Sequence, residues 1–221
     1  GSYGAGICRQ LSAAGIEVVE VNRPDRSQRR RRGKSDALDA AAAAEAARTG
    51  NRTAIPKSRD GQVEALRVLR LTRASAVKAR TKAWQQIDQL LVTGPSRLRD
   101  QLRQLTRMKL IRRCAAWRPD SYQAADPAVA TRIALQQLAR RYLQLDEEIS
   151  HSDALLDSIV TELAPQLIAV AGIGPETAGQ ILVTVGDNPG RVHSEAAFAM
   201  LCGVAPLPAS SGKTQRHRLN R

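Results

Sequence analysis

The chain has 221 residues, with 34 Lys and Arg against 21 Asp and Glu, a net charge of +13 that favours a polyanionic partner. Aromatic residues make up only 3%, which argues against stacking of unpaired bases and for contact with backbone phosphates. The longest apolar runs fall short of a membrane span, no signal peptide is visible, and Cys8, Cys114 and Cys202 form no C-x-x-C pair. A zinc site, a disulfide framework and a membrane role are therefore not indicated, and a reducing cytoplasm is the default.

Residues 1–50 read as a small α/β piece. Tyr3 to Ala14 is a short helix stopped by Gly15, and Ile16 to Val21 alternates enough to suggest a strand. Asn22 to Gly33 is a basic loop that includes Arg29, Arg30, Arg31 and Arg32, and Lys34 follows directly. Ser35 then stands where a helix cap belongs, before an alanine-rich helix that Gly50 ends.

Asp36 and Asp39 open that helix three residues apart, so they share one face. Two convergent carboxylates beside a cationic loop suit a divalent metal acting on a phosphodiester. They equally suit a first turn whose acids complement the helix dipole. The residue pattern leaves both open.

Beyond Pro56 lies a long helical tract. From Asp60 to Arg113 there are 13 Lys and Arg against 4 Asp and Glu, and Gly94-Pro95 breaks the tract in two. Val63, Leu66, Leu69, Val77, Trp84, Ile87 and Leu91 keep near-helical spacing, interrupted by Arg70, Arg73 and Arg80. The pattern predicts a helix pair with a basic outer face turned to nucleic acid.

After Pro127 the apolar rhythm sharpens. Leu135, Leu138, Tyr142, Leu145, Ile149, Ser152, Leu156, Ile159 and Leu163 alternate three and four apart, the spacing of a coiled-coil seam. Its flanks are acidic: Asp120 to Met200 holds 4 Lys and Arg against 11 Asp and Glu. The seam fits an antiparallel partner for the preceding helix or the seam of a homodimer.

Two motifs close the chain. Leu167 to Ala178 contains Gly172-Ile173-Gly174-Pro175, which resembles the turn of a helix-hairpin-helix, where glycines let backbone N–H groups approach a phosphate. A tight turn between packed helices would look the same. Ser194 caps a helix from Glu195 to Leu201, and Ser210-Ser211-Gly212-Lys213-Thr214 follows, with Arg216, His217 and Arg218 behind it. A serine before a glycine in a basic loop is a candidate nucleophile toward a phosphodiester, with Lys213, Arg216 and Arg218 for phosphate oxygens, and an ordinary loop serine would look the same. Gly212-Lys213-Thr214 lacks the upstream glycine and the strand–loop–helix setting of a P-loop.

Taken in order, Gly1 to Gly6, Lys34 to Ala40, Ile168 to Gly186 and Phe198 to Lys213 resemble the insertion-sequence transposases of the IS-one-ten type. The resemblance implies a RuvC-like domain of the RNase H class with an Asp-Glu-Asp-Asp metal site, a coiled-coil region, and a serine-bearing C-terminal domain. On this chain it implies Asp36 and Asp39 as the last two carboxylates, binding Mg²⁺, and Ser211, before Ser210, as nucleophile. It implies DNA strand cleavage and exchange guided by a structured RNA from the element, in the bacterial cytoplasm at the nucleoid.

The family's first aspartate and its glutamate would precede Gly1, and its glycine- and asparagine-containing continuation would follow Arg221. The expectation is thus an incomplete chain that cannot cleave DNA by itself. The expected fold is mainly α, with a partial RNase H-like α/β remnant over 1–55, a helical coiled-coil region over 56–164 and a small C-terminal domain over 165–221. The competing expectation is a non-catalytic, dimeric, helical nucleic-acid-binding protein, with a helix-hairpin-helix protein of DNA repair as a third.

Overall fold

A computed structural model describes residues 4–21, 35–50, 53–187, 190 and 192–218, and it is mainly helical. Contacts group the chain into two units, Ala65–Gln180 and the pair of segments Gly1–Glu64 with Ile181–Arg221.

The Ala65–Gln180 unit is built on two long helices. Helix α1 spans Ala5–Ala13, α2 spans Asp36–Thr49 and α3, the first of the two long ones, spans Gln62–Thr93. Helix α3 contains no glycine or proline and stops at Gly94-Pro95, because a residue before proline avoids helical angles. Gly94 is also required by space: a Cβ there would lie 2.6 Å from the Leu90 carbonyl oxygen and 3.2 Å from Thr131. Two short helices follow, α4 at Ser96–Leu102 and α5 at Arg107–Ala115.

Helix α6 then spans Pro127–Leu163, started by an Asp126 cap on the Ala128 N–H (2.9 Å) with proline in its first turn. Its buried stripe is Leu135, Ala139, Tyr142, Ile149, Ser152, Leu156 and Val160. Of the nine expected seam positions, Leu135, Tyr142, Ile149, Ser152 and Leu156 are buried; Ala139 and Val160 are buried beside the half-buried Leu138 and Ile159, and Leu145 and Leu163 are only half-buried. A helix of 3.6 residues per turn drifts off a strict 3.5 repeat, so buried positions migrate along it.

That stripe is used within the chain. Arg80 bonds to Asp146 and Arg73 to Asp153, while Gly94 lies against Thr131, so position numbers rise on α3 as they fall on α6. The two helices therefore run antiparallel, the first of the two arrangements the seam allows. At the end where α3 stops and α6 starts, Ile87, Leu98, Leu102, Leu110, Ile111, Cys114, Leu135, Ala139 and Tyr142 form one buried cluster. Gln136 donates to the Trp117 carbonyl, and Arg140 to that of Ala115 at 3.0 Å, fastening the end of α5 to α6.

One expectation needs correcting. Arg70, Arg73 and Arg80 do not lie on a basic outer face; their side chains are only 15%, 21% and 29% exposed. They face acids. Arg70 reaches Glu176 at 2.7 Å and Gln180 at 2.8 Å, and Arg73 also approaches Glu176 at 3.6 Å. The single-turn helix α7 (Pro165–Ile168) and the start of α8 (Pro175–Val185) belong to this unit as well.

The other unit has shorter elements. Helix α1 (Ala5–Ala13) ends at Gly15, whose φ of +74° is one glycine adopts freely. Strand β1 covers only Glu20–Val21, paired antiparallel with β2 (Thr53–Ala54), and between them α2 spans Asp36–Thr49. The strand expected from Ile16 begins at Glu20 among the described residues, since Ile16 to Val19 have no strand beside them there. The RNase H-class reading of this region rests on the resemblance.

The last turn of α8 is closed by Lys57, whose ammonium donates to the carbonyls of Val183 (2.6 Å) and Thr184 (3.2 Å). Those carbonyls would otherwise lack partners at the helix end. Helix α9 (Glu195–Leu201) starts at the Ser194 cap, and β3 (Leu207–Pro208) pairs antiparallel with β4 (His217–Arg218).

Candidate functional site

The acid-bearing helix forms as its residues dictate. Ser35 adopts an extended backbone and its Oγ accepts from the Leu38 N–H at 3.3 Å, while the Asp39 N–H bonds the Ser35 carbonyl at 3.1 Å. Gly50, at φ +66°, closes the other end. The cap is thus made by the serine hydroxyl and needs neither carboxylate. Asp36 is exposed and Asp39 half-buried, both in the first turn, where the helix dipole favours negative charge.

Mg²⁺ prefers hard oxygen donors and is commonly held by one or two carboxylates together with substrate phosphates and water. The Asp36 and Asp39 pair fits that donor set. Among the described residues no group of three or more His, Cys, Asp or Glu gathers at one point. The cations beside this helix in sequence, Arg29 to Arg32 and Lys34, lie outside the described residues.

The serine pair occupies a hairpin that sequence reasoning missed. Past the β3–β4 ladder, Ala209 donates to the Arg216 carbonyl at 2.8 Å, and Ser211 and Thr214 exchange two backbone hydrogen bonds of 3.2 Å. Gly212 and Lys213 form the two-residue tip. Gly212 has φ +57° and Lys213 does not enter the left-handed region, the pattern of a type II′ turn. A glycine followed by any residue at such a tip is the signal that the sequence did carry.

The hairpin separates the two hydroxyls. Ser210 Oγ accepts from the Arg216 N–H at 3.2 Å and lies 3.4 Å from the Arg216 carbonyl, so it is engaged in holding the strands. The Ser211 hydroxyl makes no hydrogen bond to the described residues. It is exposed, next to the tip that carries Lys213. Arg216 and Arg218 are exposed two residues apart, hence on one face of their strand.

At the glycine turn, Gly172 has φ +85°, which only glycine takes without strain. Both Gly172 and Gly174 are exposed, and a Cβ at either would meet nothing within 4 Å. Helix α8 begins at Pro175, as the motif predicts, and Glu176 in its first turn is held by Arg70. The preceding α7 is a single turn of four residues.

No helix among the described residues is long and apolar enough to cross a membrane. Comparison with known proteins supplies the family. No curated protein and no solved structure matches the chain. Two family models do. Residues 1–94 match the DEDD transposase domain of the IS110 family, and residues 164–221 match the model described as "Transposase IS116/IS110/IS902 family". The first covers the Asp36 and Asp39 helix, the second the glycine turn and the serine hairpin. With both halves of the pattern in order, the chain belongs to the IS110 family of insertion-sequence transposases.

Proposed function

We propose that this transposase acts in DNA strand cleavage and exchange, with Asp36 and Asp39 on one side of a metal site and Ser211 as the attacking group. The observation that carries this reading is the division of labour in the serine hairpin: Ser210 ties the strands together while the Ser211 hydroxyl is left for chemistry. In the step proposed, Ser211 Oγ forms a bond to phosphorus, the bond from phosphorus to the sugar oxygen breaks with its electron pair on that oxygen, and the serine proton passes through water to the departing oxygen, which leaves as a hydroxyl. Lys213, Arg216 and Arg218 stand where they can neutralise phosphate oxygens on the hairpin. Asp36 and Asp39 would hold the cation through their carboxylate oxygens. When bound, Mg²⁺ would stabilise charge on the transferring phosphoryl group.

DNA is the partner the family implies. We also infer, from the family resemblance alone, that an element-encoded RNA guides site choice. The test is an adduct assay on labelled DNA in Mg²⁺, run with this chain joined to the family's aspartate- and glutamate-bearing segment, with calorimetric titration of Mg²⁺ alongside. Ser211→Ala should abolish the protein–DNA adduct, whereas Ser210→Ala should retain part of it. Asp36→Asn and Asp39→Asn should each weaken Mg²⁺ binding. Adduct formation by Ser211→Ala but not by Ser210→Ala would overturn the assignment, and unchanged Mg²⁺ binding in both aspartate variants would remove the metal role.

A further inference from the structure

The cations of the Ala65–Gln180 unit are unevenly placed. Three along the helix pair are matched, Arg70 with Glu176, Arg73 with Asp153 and Arg80 with Asp146, while Lys78, Lys82 and Arg141 stand exposed and spread along it without an acidic partner among the described residues. At the end closed by α4 and α5 the unmatched cations are dense. Residues 96–118 hold eight Lys and Arg and one acid, Asp100. Asp100 lies 3.6 Å from Arg99. Arg97, Arg103, Lys109, Arg112, Arg113 and Arg118 are all exposed, and none has an acidic partner among the described residues.

Helix geometry makes this a surface rather than a scatter. On α5, Leu110, Ile111 and Cys114 are buried. Lys109, Arg112 and Arg113 follow i, i+3, i+4 spacing and so occupy the face opposite that buried stripe. On α4, Leu98 and Leu102 are buried, and Arg97 and Arg103 flank them on either side. Folding the cap therefore drives its cations outward together. Mutual repulsion of such a group is a cost that a surface with no polyanion to bind has no reason to retain.

The ligand must be read through its backbone. Both tryptophans of the chain lie here, but Arg107 covers the Trp84 ring at 4.3 Å and Arg132 approaches the Trp117 ring at 5.8 Å. Tyr122, 98% exposed, is a single ring and no platform for successive bases. Residues 95–163, which include the cap, fall between the two matched family models.

We propose that the α4–α5 cap is a sequence-independent anchor for the phosphate backbone of duplex DNA. This rests on the reading of DNA as partner and adds the surface that holds it. The test compares three forms of the full chain by fluorescence anisotropy on a random-sequence DNA duplex across a salt series. One is the wild type, one carries Lys109→Ala, Arg112→Ala and Arg113→Ala, and one carries Lys78→Ala, Lys82→Ala and Arg141→Ala. The last set matches the charge change with exposed cations outside the cap. Each lost phosphate contact lowers the slope of log K against log salt by about 0.9, so the cap variant should lose about 2.7 and the control far less. Thermal melts should be unchanged, since the substituted side chains oppose the buried face.

Equal losses in the two variants would reduce the effect to net charge and overturn the proposal. So would tighter binding to a duplex RNA than to the DNA. If the wild type binds no DNA, the DNA-binding reading itself falls. If the wild type binds and the cap variant matches it, only the anchor falls.

Discussion

The two units differ most in what they bury. Every buried apolar residue among the described ones except Ala205 lies between Ala65 and Gln180. The other unit leaves Ile7, Ile16, Ile55, Met200 and Val204 each more than half exposed. Yet Asp36, Asp39 and Ser211 all belong to that second unit. The chain keeps its stability in one place and its candidate chemistry in another. Where little apolar surface is buried, local structure is held by caps and turns, here Ser35, Gly50, Lys57, Ser194 and Gly212. Such segments open at low free-energy cost, and they are where elements that must rearrange around a ligand are drawn from.

The sharpest way to break this contrast is to truncate one side chain in each unit. Leu135 is fully buried in the cluster that joins α3, α4, α5 and α6, so Leu135→Ala should cost about 2–5 kcal/mol in urea unfolding. Ile7 is 60% exposed, and Ile7→Ala should stay within about 0.5 kcal/mol. Comparable losses at the two positions would mean that the thin unit has a core after all.

Much of the helical structure in both units was legible beforehand because its signals are strong and local. A seam over several turns, the Gly94-Pro95 break and the alanine-rich run with Ser35 and Gly50 at its ends each act within a few residues. The pairing of Arg73 and Arg80 with Asp153 and Asp146 was present but unread: each pair of like charges is seven residues apart, and the two spacings run in opposite directions. Treating the arginines as interruptions of an apolar pattern hid them as its polar partners. The serine hairpin was illegible for another reason. Its strands are two residues long, so no alternation marked them, and the one local signal was Gly212 followed by Lys213 at the tip. The aspartate helix was legible as a helix, while its role as a metal site rests on the family.

Thiols offer a second probe of the contrast. Cys202 is exposed in the thin unit, and Cys114 is fully buried against α6. Burial pushes the Cys114 thiol from 9.0 up to about 11, with Arg113 opposing weakly. Below pH 9 both folded and unfolded forms keep the proton and stability does not respond. Between pH 9 and 11 the unfolded thiol ionises while the folded one does not, so stability falls as pH rises, by about 2 kcal/mol in all. Urea unfolding at pH 8, 9.5 and 11 should show this fall, and Cys114→Ala should remove that part of it. At pH 8 a thiol reagent should label Cys202 in the native chain and Cys114 only after unfolding. Rapid native labelling of Cys114 would show that the cluster opens as readily as the thin unit.

The smallest expected effect concerns how the helix pair fixes its register. Ala76 and Ala83 are small residues on the buried face of α3, so apolar contact along that stretch is thin. Arg73 with Asp153 precedes Ala76 and Arg80 with Asp146 falls between it and Ala83, and Arg80 also lies 5.8 Å over the Tyr142 ring. These pairs are partly exposed, with Asp146 at 38% and Asp153 at 47%, so solvent screens them and each coupling should be about 0.5–1 kcal/mol. A double-mutant cycle of Arg80→Met and Asp146→Leu measures one such coupling directly. Swapping the charges of both pairs together should restore most of the stability lost when only α3 is reversed. Reversing α3 alone sets four acids against one another across the pair, and its penalty should exceed the sum of the two couplings. Near-additive cycles and no rescue by the swap would mean that α6's apolar stripe alone sets the register and the arginines merely fill the space beside it.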